Sequence, residues 1–249
     1  MPHLEGRQSI LAALRARQRK FQVILIRHGT HAQGVDEVVA TANELGVPVR
    51  YVDSRELDSF AHGSSHGGIV AMCSAKPRAA IGDVMERIRS TSEPALLLLL
   101  EGVDDARNLG FTLRSAEALG VHAVLIKKHL WDFDETEVAR PASGAYERLP
   151  LVQIDDLEPL KQLQQLGLQL IGCLANVNRT IYDADFTRPT VLAIGGEKRG
   201  LSGAVRSICD GFVTIPSRGD ASSLSLSHAG AIAMAEAMRQ RGKSRTLGQ

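Results

Sequence analysis

Three clusters of polar residues carry the chemistry this chain can do. The first is Asp104-Asp105-Ala106-Arg107-Asn108-Leu109-Gly110, with Arg114 beyond it. Arg114 falls one to two helical turns after Asn108, in a stretch that Phe111, Leu113, Ala116 and Leu119 otherwise pattern for a core. A guanidinium there is unfavourable unless it is paired or opens onto a polar cleft, and a cleft that holds an anion or a polarised hydroxyl would use it. The second cluster is Gly195-Gly196-Glu197-Lys198-Arg199-Gly200. Its glycines let the backbone come close to a ligand, and its carboxylate receives a donor or pairs with a cation. The third runs from Ile215-Pro216 through Gly219 to Ser222-Ser223-Leu224-Ser225-Leu226-Ser227, at the start of a last apolar segment. Each cluster also has a plain reading, in which Asp104 or Asp105 caps a helix, the glycines make turns and the serines cap.

The elements around these clusters argue that they act together. From Ala95 onward strand-like and helix-like segments alternate strictly: ALLLLL, a helix through Leu109 to Leu119, VHAVLI, PLVQI, a helix from Asp156 to Leu166, LQLIGCLA, VLAIGG, a helix near Leu201 to Cys209, GFVTIP and a helix from Ser223 to Arg239. Strands rich in Val, Ile and Leu without polar alternation are covered on both faces, which predicts an α/β fold with a mainly parallel sheet. Ligands of such sheets bind at the carboxyl ends of the strands, and all three clusters follow strands. The first 75 residues also alternate, with a helix around Ile10 to Leu14, FQVILI, a helix from Val35 to Leu45, VPVRYV and GGIVAMC. We expect domains at 1–75 and 95–249, joined by a linker at 76–94 that is bounded by Pro77 and Pro94 and holds a short helix.

Composition excludes several classes. The chain has 249 residues, 44% hydrophobic and 23% charged, with 29 basic against 28 acidic side chains and a net charge of +1. A nucleic-acid partner must therefore be held by local patches and not by a global field. Cys73, Cys173 and Cys209 are odd in number and far apart, with no Cys-x-x-Cys pair, so neither a metal site nor a disulfide framework is expected. No apolar run approaches the roughly 20 residues that span a bilayer, and the N-terminus lacks a signal-peptide core. We expect a cytoplasmic protein without a membrane partner. Neither Gly-x-Gly-x-x-Gly after the first strand nor a phosphate-binding Gly-x-x-x-x-Gly-Lys-Ser/Thr loop is present.

In their order and wording the three clusters resemble the SpoU/TrmH group of the SPOUT superfamily of RNA ribose 2′-O-methyltransferases. Asp105, Asn108, Gly110 and Arg114 match its first motif, Gly195, Glu197 and Gly200 its second, and Ile215, Pro216, Gly219, Ser223 and Leu224 its third. GVHAV at 120–124, SGAYERLP at 143–150 and SSL at 222–224 look most like the subgroup that methylates a guanosine of large-subunit (23S) rRNA. One position departs, because Ser225 stands where the family has Asn.

The resemblance implies a C-terminal trefoil knot, an L30e-like RNA-binding domain ahead of it, S-adenosylmethionine as cofactor and a homodimer formed through the knotted part. It assigns Leu174, Ala175, Gly195, Gly196, Glu197, Gly200, Ile215 and Leu224 to the cofactor pocket. It assigns Arg114, Asn108, Glu197, Ser223 and Ser225 to the reaction. A guanidinium is a poor base, so Arg114 is expected to grip the phosphate beside the target ribose and stabilise developing alkoxide, with late passage of the proton to Arg114 left open.

For RNA contact we expect Arg7, Arg15, Arg19, His66 and Arg114. The segment 1–29 carries six basic residues, Arg7, Arg15, Arg17, Arg19, Lys20 and Arg27, against one acidic residue, Glu5. A solvated helix face would look similar. Few aromatic residues point to recognition by phosphate, shape and 2′-hydroxyl contacts. Two other readings stay open: a tRNA ribose methyltransferase, and an RNA-binding or ribosome-assembly protein with weakened catalysis, motivated by Ser225.

Overall fold

The structure is a computed structural model, and it describes residues 3–30, 34–61, 66–127, 133–218 and 224–246. In chain order the elements are β1 (His3–Glu5), α1 (Arg7–Ala16), β2 (Phe21–Arg27), α2 (Val35–Glu44), β3 (Val49–Val52), α3 (Ser54–Phe60), β4 (Ile69–Cys73), α4 (Ile81–Ser90), β5 (Leu96–Glu101), α5 (Ala106–Ala118), β6 (Ala123–Lys127), α6 (Glu135–Ala142), α7 (Ala145–Arg148), β7 (Leu151–Ile154), α8 (Glu158–Gln165), β8 (Gln169–Cys173), a 3-10 turn (Ile181–Asp183), β9 (Thr190–Gly195), α9 (Gly203–Arg206), β10 (Gly211–Val213) and α10 (Leu226–Thr246). They form two compact units, residues 1–77 with 133–148, and 78–132 with 149–249.

The first unit holds a four-stranded sheet ordered β1-β4-β2-β3, in which β2 and β3 run parallel and the other pairs antiparallel. Its most buried polar cluster is ionic. Arg19, 6% exposed, donates through Nε and Nη2 to the Glu147 carboxylate at 3.0 and 2.8 Å and through Nη1 to Glu135 Oε2 and the Ser74 carbonyl, both at 2.7 Å. Lys76 is buried beside it, its ammonium bonded to the Tyr146 carbonyl. Burial holds the Lys76 amine down at about 8, although the nearby Glu147 works the other way.

The second unit holds the expected parallel sheet, six strands in the order β10-β8-β9-β5-β6-β7, every pairing parallel. Leu97, Leu99, Leu125, Leu170, Val191 and Ala193 lie in one buried cluster, as the unbroken apolar runs require. Leu160 and Leu163 of α8 and Val205 of α9 pack onto it. Among the described residues no helix is long and apolar enough to cross a membrane.

The structure differs from expectation at two places in the domain plan. Residues 133–148 pack with the first unit because Glu135 and Glu147 neutralise Arg19 there. The short helix expected within the linker is α4, but its Val84 is buried in the core of the second unit, so the segment packs as part of that unit.

Candidate active site

The sheet order brings the clusters together. β10, β8, β9 and β5 are consecutive neighbours, and their carboxyl ends are in register, with Cys173 opposite both Val213 and Ile194 and Glu101 opposite Gly195. The loops after these strands therefore leave from one edge of the sheet, the edge where α/β proteins bind ligands.

Asp105 caps α5 by accepting from the Asn108 amide at 2.9 Å, so the plain reading of this residue holds. That cap fixes the first turn and sets the Asn108 side chain toward the second cluster. Asn108 Nδ2 donates to Glu197 Oε1 at 3.2 Å, and the same carboxylate oxygen accepts the backbone N–H of Leu226 at 3.3 Å. Asn108 Oδ1 in turn accepts from Ser227 Oγ at 3.2 Å. One amide thus joins all three motifs. Lys198 and Asp104 add an exposed ion pair at 3.3 Å between the first two, a contact worth little by itself.

The glycines of the second cluster serve the loop before they serve a ligand. A Cβ on Gly195 would stand 2.0 Å from the Gly200 carbonyl carbon, and one on Gly196 would stand 1.6 Å from the Gly102 carbonyl oxygen. Gly196 donates its N–H to the Glu101 carbonyl at 2.6 Å, and Gly200 donates to the Gly196 carbonyl at 2.8 Å. Backbone passes against backbone here, which leaves no room for any side chain.

Leu174 and Ala175 follow β8 and are tied to the loop after β10, the Leu174 N–H donating to the Val213 carbonyl and Thr214 Oγ1 to the Ala175 carbonyl, both at 2.9 Å. With half-buried Leu174 and Ile215 beside exposed Ala175, this edge offers apolar side chains next to the main-chain groups of the two loops. That combination fits the flat, polar-edged ring of a nucleoside. Leu224 is 40% exposed. Ser223, Ser222 and Gly219 lie outside the described residues.

One expectation about side chains is corrected. Phe111 is 48% exposed and not part of the core; α5 buries Leu109, Thr112, Leu113 and Ala116 instead. Arg114 shares the open side of the helix, exposed and without a hydrogen-bond or ion-pair partner among the described residues. Its exposure, and not a buried charge in need of a mate, is what makes it available. Ser225 precedes α10 as its N-cap, its carbonyl accepting the Ala229 N–H at 2.9 Å and its hydroxyl the His228 N–H at 3.4 Å. Ser and Asn are equivalent in that role, so the departure at this position leaves the helix start intact.

In the first unit two RNA-contact expectations are overturned. The Arg19 side chain has no exposed area and its donors are spent on Glu147, Glu135 and Ser74. His66 is 1% exposed, with Nε2 2.9 Å from Asp58 Oδ1 and Nδ1 accepting the Gly68 N–H at 3.1 Å, so it shapes its turn. Arg7 and Arg15 are exposed, Arg15 in an ion pair with Glu37. The rest of the loop at 62–65 lies outside the described residues.

Sequence reasoning missed several participants. Glu101, read only as the end of an apolar run, accepts from Lys127 Nζ at 2.7 Å and from the Ser202 N–H at 2.8 Å. Burial works against its charge, yet these donors hold the carboxyl below the usual range. Ser227 and His228 were also missed; the signal available was the spacing of two serines and a histidine at a helix start.

The chain matches the SpoU rRNA Methylase family over residues 95–235 and the RNA 2′-O ribose methyltransferase substrate binding family over residues 3–79. It is 36% identical over 239 residues to the 23S rRNA (guanosine-2′-O-)-methyltransferase RlmB of Pseudomonas aeruginosa, covering 95% of both chains. It is 31% identical over 237 residues to the protein of the same name from Escherichia coli, covering 95% of this chain and 97% of that one. In structure it is similar to the SpoU methyltransferase AviRb from Streptomyces viridochromogenes in complex with the cofactor AdoMet, with a TM-score of 0.80 at 25% identity over 97% of this chain and 90% of that one.

Proposed function

Since the chain belongs to the SpoU rRNA methylase family, we propose that it transfers a methyl group from S-adenosylmethionine to the ribose 2′-hydroxyl of a guanosine in 23S rRNA. The observation that carries this reading is the bonding of Asn108 to both Glu197 and Ser227, which makes one site of the three motifs. The names of the relatives support the substrate.

Backbone groups of Leu174, Ala175, Gly195, Gly196, Gly200, Ile215 and Leu224 hold the cofactor, with Glu197 beside it. When bound, S-adenosylmethionine supplies a methyl group activated by a positive sulfur. The protein's own task is then to align the ribose oxygen, stabilise charge on it and take away one proton. Arg114 grips the phosphate next to the ribose, where a planar guanidinium pairs two oxygens at once. Asn108 is held by Asp105, Glu197, Ser227 and Thr112 and orients the acceptor, with Ser223 helping to place the hydroxyl.

The same reading includes the trefoil knot, the L30e-like character of the first unit, RNA contact through Arg7 and Arg15, a homodimer and action in the cytoplasm. The exposed apolar side chains of α5 and α10, Phe111, Ile232 and Met238, suit a dimer face.

The test is to incubate the protein with S-adenosylmethionine and, separately, unmodified 23S rRNA and tRNA, then digest and identify ribose-methylated nucleosides by mass spectrometry. Methylated guanosine from rRNA alone is expected. A product only from tRNA would replace the substrate, and bound RNA without product would replace the enzyme with a binding protein.

A further inference from the structure

Something must receive the ribose proton, and a guanidinium is a poor base. We propose that His228 accepts this proton at Nε2, and that Ser225, Ser227 and Asn108 hold its ring in the form that can do so. The proposal rests on the methyltransferase reading above and adds a catalytic residue to it.

The argument is one of hydrogen-bond direction. Asn108 Nδ2 is committed as donor to Glu197 at 3.2 Å, so Asn108 Oδ1 is the acceptor for Ser227 Oγ, also at 3.2 Å. The Ser227 proton is spent there. Ser227 Oγ, 3.1 Å from Ser225 Oγ, therefore accepts from it. The Ser225 proton is spent in turn, and Ser225 Oγ, 2.6 Å from His228 Nδ1, accepts from that nitrogen. A hydroxyl has one proton to give, so the chain of bonds runs one way, from His228 to Glu197. The neutral imidazole then carries its hydrogen on Nδ1 and leaves Nε2 bare, on a side chain that is exposed at the start of α10.

In the step, the ribose O–H bond breaks and its proton goes to Nε2. The electron pair stays on oxygen and forms the O–CH3 bond as the S–CH3 bond breaks, its pair going to sulfur. The imidazolium afterwards releases the proton to water, which restores the starting state. Ser225 has a positioning role here.

Charged and titratable groups on the elements packed around this end of α10 are Asp105, Arg107 and Arg114 of α5 and its cap, and Glu197, Lys198 and Arg199 of the loop after β9. Asp183 of the 3-10 turn lies toward the far end of α10, where Gln240 meets Ala184, and Glu236 is two turns along the helix.

Two measurements test the proposal. Nitrogen-15 NMR of histidine-labelled protein, without cofactor or RNA, should show neutral His228 protonated at Nδ1; protonation at Nε2 would overturn it. Single-turnover methyl transfer should rise with pH through a group in the imidazole range. His228→Asn, which keeps a donor toward Ser225 but has nothing at the Nε2 position, should lose that limb and fall about 100-fold with S-adenosylmethionine binding unchanged. Ser225→Ala should keep the limb at reduced rate. A His228→Asn rate within threefold of the parent, with the same pH profile, would overturn the inference alone. A parent protein that methylates no RNA would overturn it together with the function it rests on.

Discussion

In the proposed reaction Arg114 and Asn108 contribute in opposite ways, one with no partner among the described residues and the other engaged on side chain and backbone. Asn108 has its amide nitrogen, amide oxygen and backbone carbonyl bonded to Glu197, Ser227 and Thr112, so its geometry is set before any ligand arrives. Arg114 is exposed on α5, and its value lies in the shape of its head group. Replacing Arg114 by Lys keeps the charge and removes the planar fork. We expect turnover on rRNA to fall about 100-fold or more, the scale seen when one preorganised donor to developing charge is lost. Calorimetry should show S-adenosylmethionine binding as before. Turnover within a few-fold of the parent would remove Arg114 from the reaction.

At the scale of elements, the loop after β9 depends on backbone packing that tolerates no Cβ. Gly196→Ala would drive a methyl group into the Gly102 carbonyl oxygen, 1.6 Å from the ideal Cβ position, and neither partner is a side chain that can turn away. We expect a loss on the order of 1–3 kcal/mol in the second unit and weaker cofactor binding, read by calorimetry and thermal melting. Gly203→Ala is the control, because nothing lies within 4 Å of its Cβ and it begins α9; it should be neutral or slightly stabilising. Equal effects of the two would show that crowding is not the cause.

The elements of the second unit were legible from sequence because period and length carry them. ALLLLL, VLAI and VHAVLI became β5, β9 and β6 with little change. Short elements were not legible: β1 has three residues, and α3, α6 and α7 have seven, eight and four, too few turns to show a periodic face. In the site, Asn108, Glu197 and Arg114 could be read because each sits in a motif. Ser227 stood in the third cluster without a role and His228 stood outside all three, since the bond from Ser227 to Asn108 forms only where α10 packs against α5 and the Ser225–His228 contact depends on side-chain geometry at the helix start. Arg19 misled for the converse reason, because a basic residue near a chain start reads as surface until the carboxylates of Glu147 and Glu135 are seen, and His66 misled because its ring is buried in the turn it braces through Asp58 and Gly68.

The whole molecule is not divided as the chain is numbered. Arg19 and Lys76 are buried in the first unit, and the carboxylates that answer them, Glu135 and Glu147, arrive from a segment beyond β6. Removing the partner of a buried charge costs about 3–5 kcal/mol, against a total of about 5–15 kcal/mol for a domain. Residues 1–77 alone would leave Arg19 without Glu135 and Glu147, and would also expose the faces of α1 and β1 that α6 and α7 cover. We therefore expect the fragment 1–77 to show no cooperative thermal transition by circular dichroism. The same fragment joined through a flexible linker to 133–148 should regain one, as should 1–77 carrying Arg19→Met and Lys76→Met, though less fully, because apolar replacements remove the charges but not the missing cover. A sharp transition in unaltered 1–77 would show that the first unit stands without its distant segment. A failure of the joined fragment would show that the second unit is needed to hold that segment in place.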